Sequence, residues 1–413
     1  MKRTPIVLLT ASALLSLTLA ACGSSASSPA AAASSSAPIL VGADLSLSGD
    51  FATEGVPYAH GYDLWANYVN SHGGLLGRKV SMKILSDASN QAEVTTNYQD
   101  LISVDHASLL FGPVSTLFTV PAAREAQRFG YALVEGAGGG PVVFSSGLTN
   151  VFDTGLTVSG TVVPFAKYLA ALPASERPTT AAYATENDPF DVPETQGAQQ
   201  VLQAAGIKTV FNKTFPQEVA DYTPIADQIA ATHAQVVILG AGDLSVLSPF
   251  VHAFIQQGYN PEAFYTANGA NPPQFLPAIG GVGNANGIVT SGSWFPGYQN
   301  AQSEAFVKLY LKTYGGSAAN IDPSVAEGYS VGQVVQAAVE ATHSLDQAKI
   351  IAYLHSGATI QTVLGPVRFD KLGENTAASA FLFQWQGGQY VSADPPQAGV
   401  QGLVFPKPAW GAS

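Results

Sequence analysis

The chain has 413 residues, of which 46% are hydrophobic and 10% aromatic, too apolar a composition for a disordered segment and long enough for about two to four domains. With 29 acidic against 17 basic residues and a net charge of -12, it repels phosphate backbones, which excludes nucleic acid as an expected partner. Its single cysteine excludes a disulfide framework within the chain and any Cys-based zinc site.

Lys2 and Arg3 form a short positive region ahead of the mostly apolar run Ile6 to Ala20, which is signal-peptide length and shorter than a membrane-spanning helix. The run ends in Leu19-Ala20-Ala21-Cys22, which resembles the bacterial lipobox. A plain secretory leader or an uncleaved anchor would use the same apolar run. The only cysteine, however, occupies the one position that the lipobox requires. Residues 1–21 are therefore expected to be a lipoprotein signal peptide, with lipid attached at Cys22. The Ser/Ala/Pro-rich stretch 22–38 has almost no large apolar residue and reads as a flexible tether.

From Ile39 onward, short apolar runs alternate with segments of helical period. Ile39 to Leu45 predicts a strand. Glu54 to Asn70 predicts a helix with Tyr58, Tyr62, Trp65 and Val69 on one face, stopped at Gly73-Gly74. Strands follow at Val80 to Leu85, Ser108 to Phe111 and Tyr131 to Val134, with helices at Ala92 to Val104 and Pro121 to Phe129 between them. Repeated strand–helix–strand units imply a parallel sheet covered on both faces.

The pattern then restarts. Val162 to Leu172 is helical, Thr180 to Ala184 a strand, and Glu194 to Ala205 a helix ended by Gly206. Val210 to Phe215 and Val236 to Leu239 predict strands around a helix at Ile225 to Ala231. Leu247 to Gln257 is a helix ended by Gly258, and Ala263 to Tyr265 and Ile288 to Thr290 are short strands. Helices are expected near Ser303 to Tyr314, Val325 to His343 and Leu345 to Leu354. Phe381 to Trp385 and Gln389 to Val391 read as a hairpin joined by Gly387-Gly388. The fold class is α/β, in two lobes of similar size.

Several segments together resemble a known family. Asp44-Leu-Ser-Leu-Ser-Gly49 and Asn70-Ser-His-Gly-Gly-Leu-Leu-Gly-Arg-Lys-Val80, with Asp87, resemble the start of type I periplasmic binding proteins, in the Leu/Ile/Val-binding branch of ABC-importer receptors. Gly112-Pro-Val-Ser-Thr116, Gly365-Pro-Val-Arg-Phe-Asp370 and Phe381-Leu-Phe-Gln-Trp385 continue the likeness in order. The resemblance implies two Rossmann-like lobes with parallel-sheet cores, joined by a three-strand hinge. The crossings would fall near Thr154 to Val158, Gly292 to Pro296 and Asn375 to Ser379. Lobe 1 would then comprise 39–155 and 293–376, and lobe 2 156–292 and 377–413. It also implies a non-catalytic protein that needs no cofactor. It would bind a small polar solute (an amino acid, amide or organic acid) in the inter-lobe cleft and deliver it to membrane permease subunits. A ligand-sensing receptor on the same fold is the alternative.

The same resemblance suggests site residues. Ser115 and Thr116 lie where the family's hydroxyls hold a ligand carboxylate; as a bare sequence feature they could be a helix N-cap. Gly136 to Gly140 is the family's second ligand loop, but Gly138 or Gly139 stands where a Thr hydroxyl is usual. Asn268 occupies a position that often carries the acid pairing a ligand ammonium. Asp243 or Glu54 could supply that charge, although Glu54 is also placed to serve a helix N-terminus. Phe190 is the expected aromatic wall. Trp294 and Phe295 could wall the cleft or only pack it.

A serine hydrolase is the remote alternative, because Gly328-Tyr-Ser-Val-Gly332 matches Gly-x-Ser-x-Gly and Asp346 and His355 follow it. A nucleophile elbow needs a preceding strand, and Ser330 instead falls in a helical pattern. The scattered histidines support no metal site.

Overall fold

A computed structural model describes residues 37–217, 219–267, 270 and 274–412. The expected signal peptide, Cys22 and all but the last two residues of the tether lie outside them, as does Asn268. Nine elements come first: β1 (Ile39–Leu45), α1 (Ala52–Ser71), β2 (Val80–Ser86), α2 (Gln91–Ser103), β3 (Leu109–Phe111), α3 (Thr116–Arg128), β4 (Leu133–Glu135), α4 (Pro141–Ser145) and β5 (Val151–Asp153). The strands form one sheet in the order β2-β1-β3-β4-β5, every pair parallel.

The chain then builds a second sheet. Its elements are α5 (Val162–Ala171), β6 (Thr180–Glu186), α6 (Asp191–Ala204), β7 (Lys208–Phe215), α7 (Thr223–Thr232), β8 (Val236–Gly240), α8 (Leu244–Gln256), β9 (Ala263–Thr266), α9 (Phe275–Ala278), α10 (Val282–Ala285) and β10 (Ile288–Gly292). Next come α11 (Ala301–Tyr314), α12 (Pro323–Thr342), α13 (Gln347–Leu354) and a small antiparallel pair, β11 (Ile360–Thr362) and β12 (Gly365–Val367). The hairpin β13 (Phe381–Gln386) and β14 (Gln389–Asp394) closes the second sheet, ordered β14-β13-β10-β9-β8-β6-β7. Five strands of it are parallel; β13 and β14 run antiparallel at one edge.

Period-two packing fixes both sheets. On the second, Ala182, Ala184, Val237 and Leu239 pack to one face, and Ala181, Tyr183, Val236 and Ile238 to the other. On the first, Ile39, Val41, Ala43 and Leu45 of β1 pack with Tyr58, Tyr62 and Trp65 of α1 and Val325, Val331 and Val335 of α12. α12 therefore carries the chain back onto the first sheet. Its approach to α1 is close, because a Cβ on Gly61 would strike the Val325 carbonyl and one on Gly332 the Trp65 ring.

Three passages link the sheets. The first follows Asp153. The second follows Gly292, after which Trp294 is buried against Phe306. The third precedes Phe381, where the Asn375 side chain donates to the Thr154 carbonyl at 3.0 Å. Trp294 donates to Ser303 and Phe295 stacks edge-on to Phe381, so both pack the molecule and neither lines the crevice described below.

Most expected elements are present, most ends moved by a residue or two and the start of α3 by five. Gly206 and Gly258 stop α6 and α8 at φ of 85° and 64°. The Gly387-Gly388 turn has positive φ at both positions, as a two-residue hairpin requires. The reading missed β5, α4, α9, α10 and the β11–β12 pair, all too short to show a period.

Candidate functional site

In both sheets the strand order turns back beside the first strand, between β1 and β3 and between β6 and β8. Helices leave to opposite faces there, and the carboxyl ends of the strands open a crevice. That crevice holds a cavity of 670 Å³, within the usual range for small-molecule sites. Its walls come from the first turn of α1, the start of α3, the loop after β4, the end of β5, the β6–α6 connection, the start of α8, the end of β10 and the first turns of α12.

Of the residues suggested by sequence, Glu54, Ser115, Thr116, Gly139, Phe190 and Asp243 line this cavity. Ser115 caps α3, accepting from the Leu117 amide at 3.3 Å, and holds a left-handed φ of 68° that a non-glycine residue rarely adopts. Thr116 Oγ1 accepts from the Gly140 amide at 3.0 Å. Gly138 does not line the cavity. Its amide and that of Ala137 both donate to Glu135 Oε2, at 2.6 and 2.8 Å, and a Cβ on Gly138 would collide with Thr119. A Cβ on Gly139 would collide with the Asp153 carboxylate, which accounts for glycine where the family's hydroxyl was expected.

Sequence reading missed most of the charge. Asp153, Glu186, Asp188, Asp191 and Glu194 line the cavity too, with Asp322 and Glu327 opposite. One signal was available: Glu186-Asn-Asp188-Pro-Phe-Asp191-Val-Pro-Glu194 packs four acids behind a strand in a chain that is only 11% charged. Some of these acids are held. Glu327 accepts from the Tyr58 hydroxyl at 2.9 Å and from Ser293 at 3.1 Å, Asp153 from the Gly155 amide at 2.7 Å, and Glu194 from Tyr265 at 3.3 Å. Among the described residues, Glu186 and Asp191 have no hydrogen-bond partner for their carboxylates, and each is only 8% exposed.

Burial, reinforced by repulsion among neighbours, pushes Glu54 and Glu186 up to about 8. It pushes Asp153, Glu194 and Glu327 to about 7, Asp243 to about 6, and Asp191 well above the usual carboxylate range. The site can accept hydrogen bonds, exchange protons near neutrality and compensate positive charge.

The hydrolase motif does no chemistry. Ser330 is fully buried in α12, hydrogen-bonded to Thr154 at 3.0 Å and donating to the Glu327 carbonyl at 2.7 Å. Asp346 caps α13, and His355 Nε2 meets the Thr149 carbonyl at 2.9 Å. Among the described residues, no three His, Cys, Asp or Glu side chains converge as metal ligands, and no helix is long and apolar enough to cross a membrane.

A family model described as periplasmic binding protein matches residues 38–389. The Leu/Ile/Val-binding protein BraC3 of Rhizobium johnstonii is 23% identical, over 87% of this chain and 94% of the relative. An amino acid binding protein of Pseudomonas aeruginosa is 22% identical, over 86% and 92%. Among solved structures, the branched-chain amino acid transporter substrate-binding protein LivJ from Streptococcus pneumoniae, in complex with isoleucine, superposes with a TM-score of 0.75 at 17% identity, covering 90% of this chain and all of that one. An ABC-transporter solute-binding protein from R. palustris, in complex with benzoate, has a TM-score of 0.75 at 19% identity, over 91% of this chain and all of that one.

Proposed function

Because the chain belongs to the periplasmic binding protein family, we propose that it is the extracytoplasmic solute-binding lipoprotein of an ABC importer. It binds a small polar solute, such as an amino acid, amide or organic acid, and hands it to permease subunits. Lobe 1 (39–155 and 293–376) and lobe 2 (156–292 and 377–413) close on the solute about the three passages. The observation that carries this reading is the 670 Å³ crevice at the carboxyl ends of two sheets whose five parallel strands share one order. Solutes of comparable size occupy the similar folds that hold isoleucine and benzoate. Closure follows only if the solute binds the closed form better than the open one. A cognate solute at a hundredfold excess over its dissociation constant is expected to stabilise the fold by about 2.7 kcal/mol. Thermal melts against a broad panel of small solutes measure this; a flat response to every one would remove the reading.

A further inference from the structure

We propose that the solute held in this crevice is a small organic cation carrying two or more amine groups. The proposal rests on the crevice being a solute site and adds the chemical class of what fills it.

The first argument is charge. From the first lobe, Glu54, Asp153, Asp322 and Glu327 reach the cavity. From the second come Glu186, Asp188, Asp191, Glu194 and Asp243. No Lys, Arg or His lines it among the described residues, and the adjoining sequence 268–273 contains no charged residue. Tyr58, the remaining titratable group there, is neutral and already donates to Glu327. An anionic solute would meet carboxyl groups from both lobes and no fixed positive charge from the described lining.

The second argument is the missing partners. Glu186 and Asp191 are more than nine-tenths buried, line the cavity and, among the described residues, have no hydrogen bond to their carboxylates. Buried carboxylates are ordinarily paired. Here the carboxylates open onto the cavity, where a solute can supply the partner.

The third argument is that the loop after β4 keeps few free amides for a carboxylate. The amides of Ala137 and Gly138 are spent on Glu135, and that of Gly140 on Thr116. The loop after β4 thus turns these amides inward on the protein's own side chains.

Geometry separates an organic cation from a metal ion. The described acids nowhere converge in threes; they are spread around a 670 Å³ space with Phe51, Leu156, Phe190 and Phe383 between them. A set of dispersed charges with apolar and aromatic surface between them matches several ammonium groups joined by an aliphatic body.

Protons compete with a cation for these carboxylates. Burial and repulsion put Glu54 and Glu186 at about 8, so a bound amine displaces protons from them near neutral pH.

The test is calorimetric titration of the purified full-length protein with spermidine, putrescine and agmatine, in two buffers of different ionisation enthalpy. Leucine, benzoate and calcium chloride are run alongside. The expected result is saturable binding of at least one amine with proton release, weakening as pH falls from about 8 to about 6. Glu186→Gln and Asp191→Asn are each expected to weaken it about tenfold or more, while the ligand-free variants melt no lower than the parent. Glu304→Gln, on the exposed face of α11, reports general attraction to an acidic protein and is expected to change nothing.

The proposal falls if leucine or benzoate binds and none of the amines does, although the solute-binding reading then stands. It also falls if calcium displaces the amine, or if Glu304→Gln weakens binding as much as the crevice variants do. If no solute of any class binds, both readings fall.

Discussion

Glu54 sits in the first turn of α1, where the helix dipole favours its anion by about 0.3–1 kcal/mol. Burial among Asp243, Glu327, Asp322 and Asp188 outweighs that and pushes it up to about 8. Its folded value therefore exceeds the ordinary carboxylate value near 4.3. The native state binds more protons than the unfolded chain throughout the interval between the two. The resulting stabilisation is complete below the unfolded value and is lost as pH rises through the folded one. Glu186, with its folded value also about 8, acts in the same direction. The melting temperature of the ligand-free protein is thus expected to fall between about pH 5 and about pH 8; scanning calorimetry across that range measures it, and a rise instead would mean that the crevice acids are well hydrated. Ser115, Thr116 and Phe190 could be named from sequence because the family resemblance carries them over and each follows a strand. The meeting of Glu54 with Asp243 and Glu327 could not, because these residues lie on separate elements and no local spacing records their convergence. Only the run Glu186 to Glu194 carried a local signal.

At the scale of elements, the junction of α1 and α12 explains a motif that sequence alone left ambiguous. Gly328 and Gly332 are one helical turn apart, on the side of α12 that faces α1, and Ser330 lies between them with its hydroxyl bonded inside the molecule. A Cβ on Gly328 would lie 2.8 Å from the Tyr58 carbonyl oxygen. The glycines thus allow two helices to approach closely and present no nucleophile. Gly332→Val drives a branched side chain into the Trp65 ring and is expected to cost about 3 kcal/mol or more. Urea unfolding with an unchanged slope measures the loss; a loss below about 1 kcal/mol would mean that the helices can part cheaply. α12 was visible in the sequence because twenty residues display a helical period. The three residues of β5, β11 or β12 cannot.

At the scale of the molecule, two rounds of strand–helix alternation were plain in the sequence, and both became sheets. The return of α12 to the first sheet was not, since no periodicity shows which lobe a helix joins; that expectation came from family resemblance. The tether proposal belongs to this scale as well. Cys22→Ala is expected to move the protein from the membrane fraction to the soluble fraction and to abolish incorporation of labelled fatty acid. Unchanged fractionation and labelling would overturn lipidation at Cys22.

The Trp65 indole, near the beginning of the chain, donates to Gln336 across 271 residues of sequence. During synthesis, that apolar flank of α1 stays bare until most of the protein has been made. The first half therefore cannot complete its own interior early. For the export proposed above, such delay is useful: the segment emerging first lacks its cover until α12 arrives.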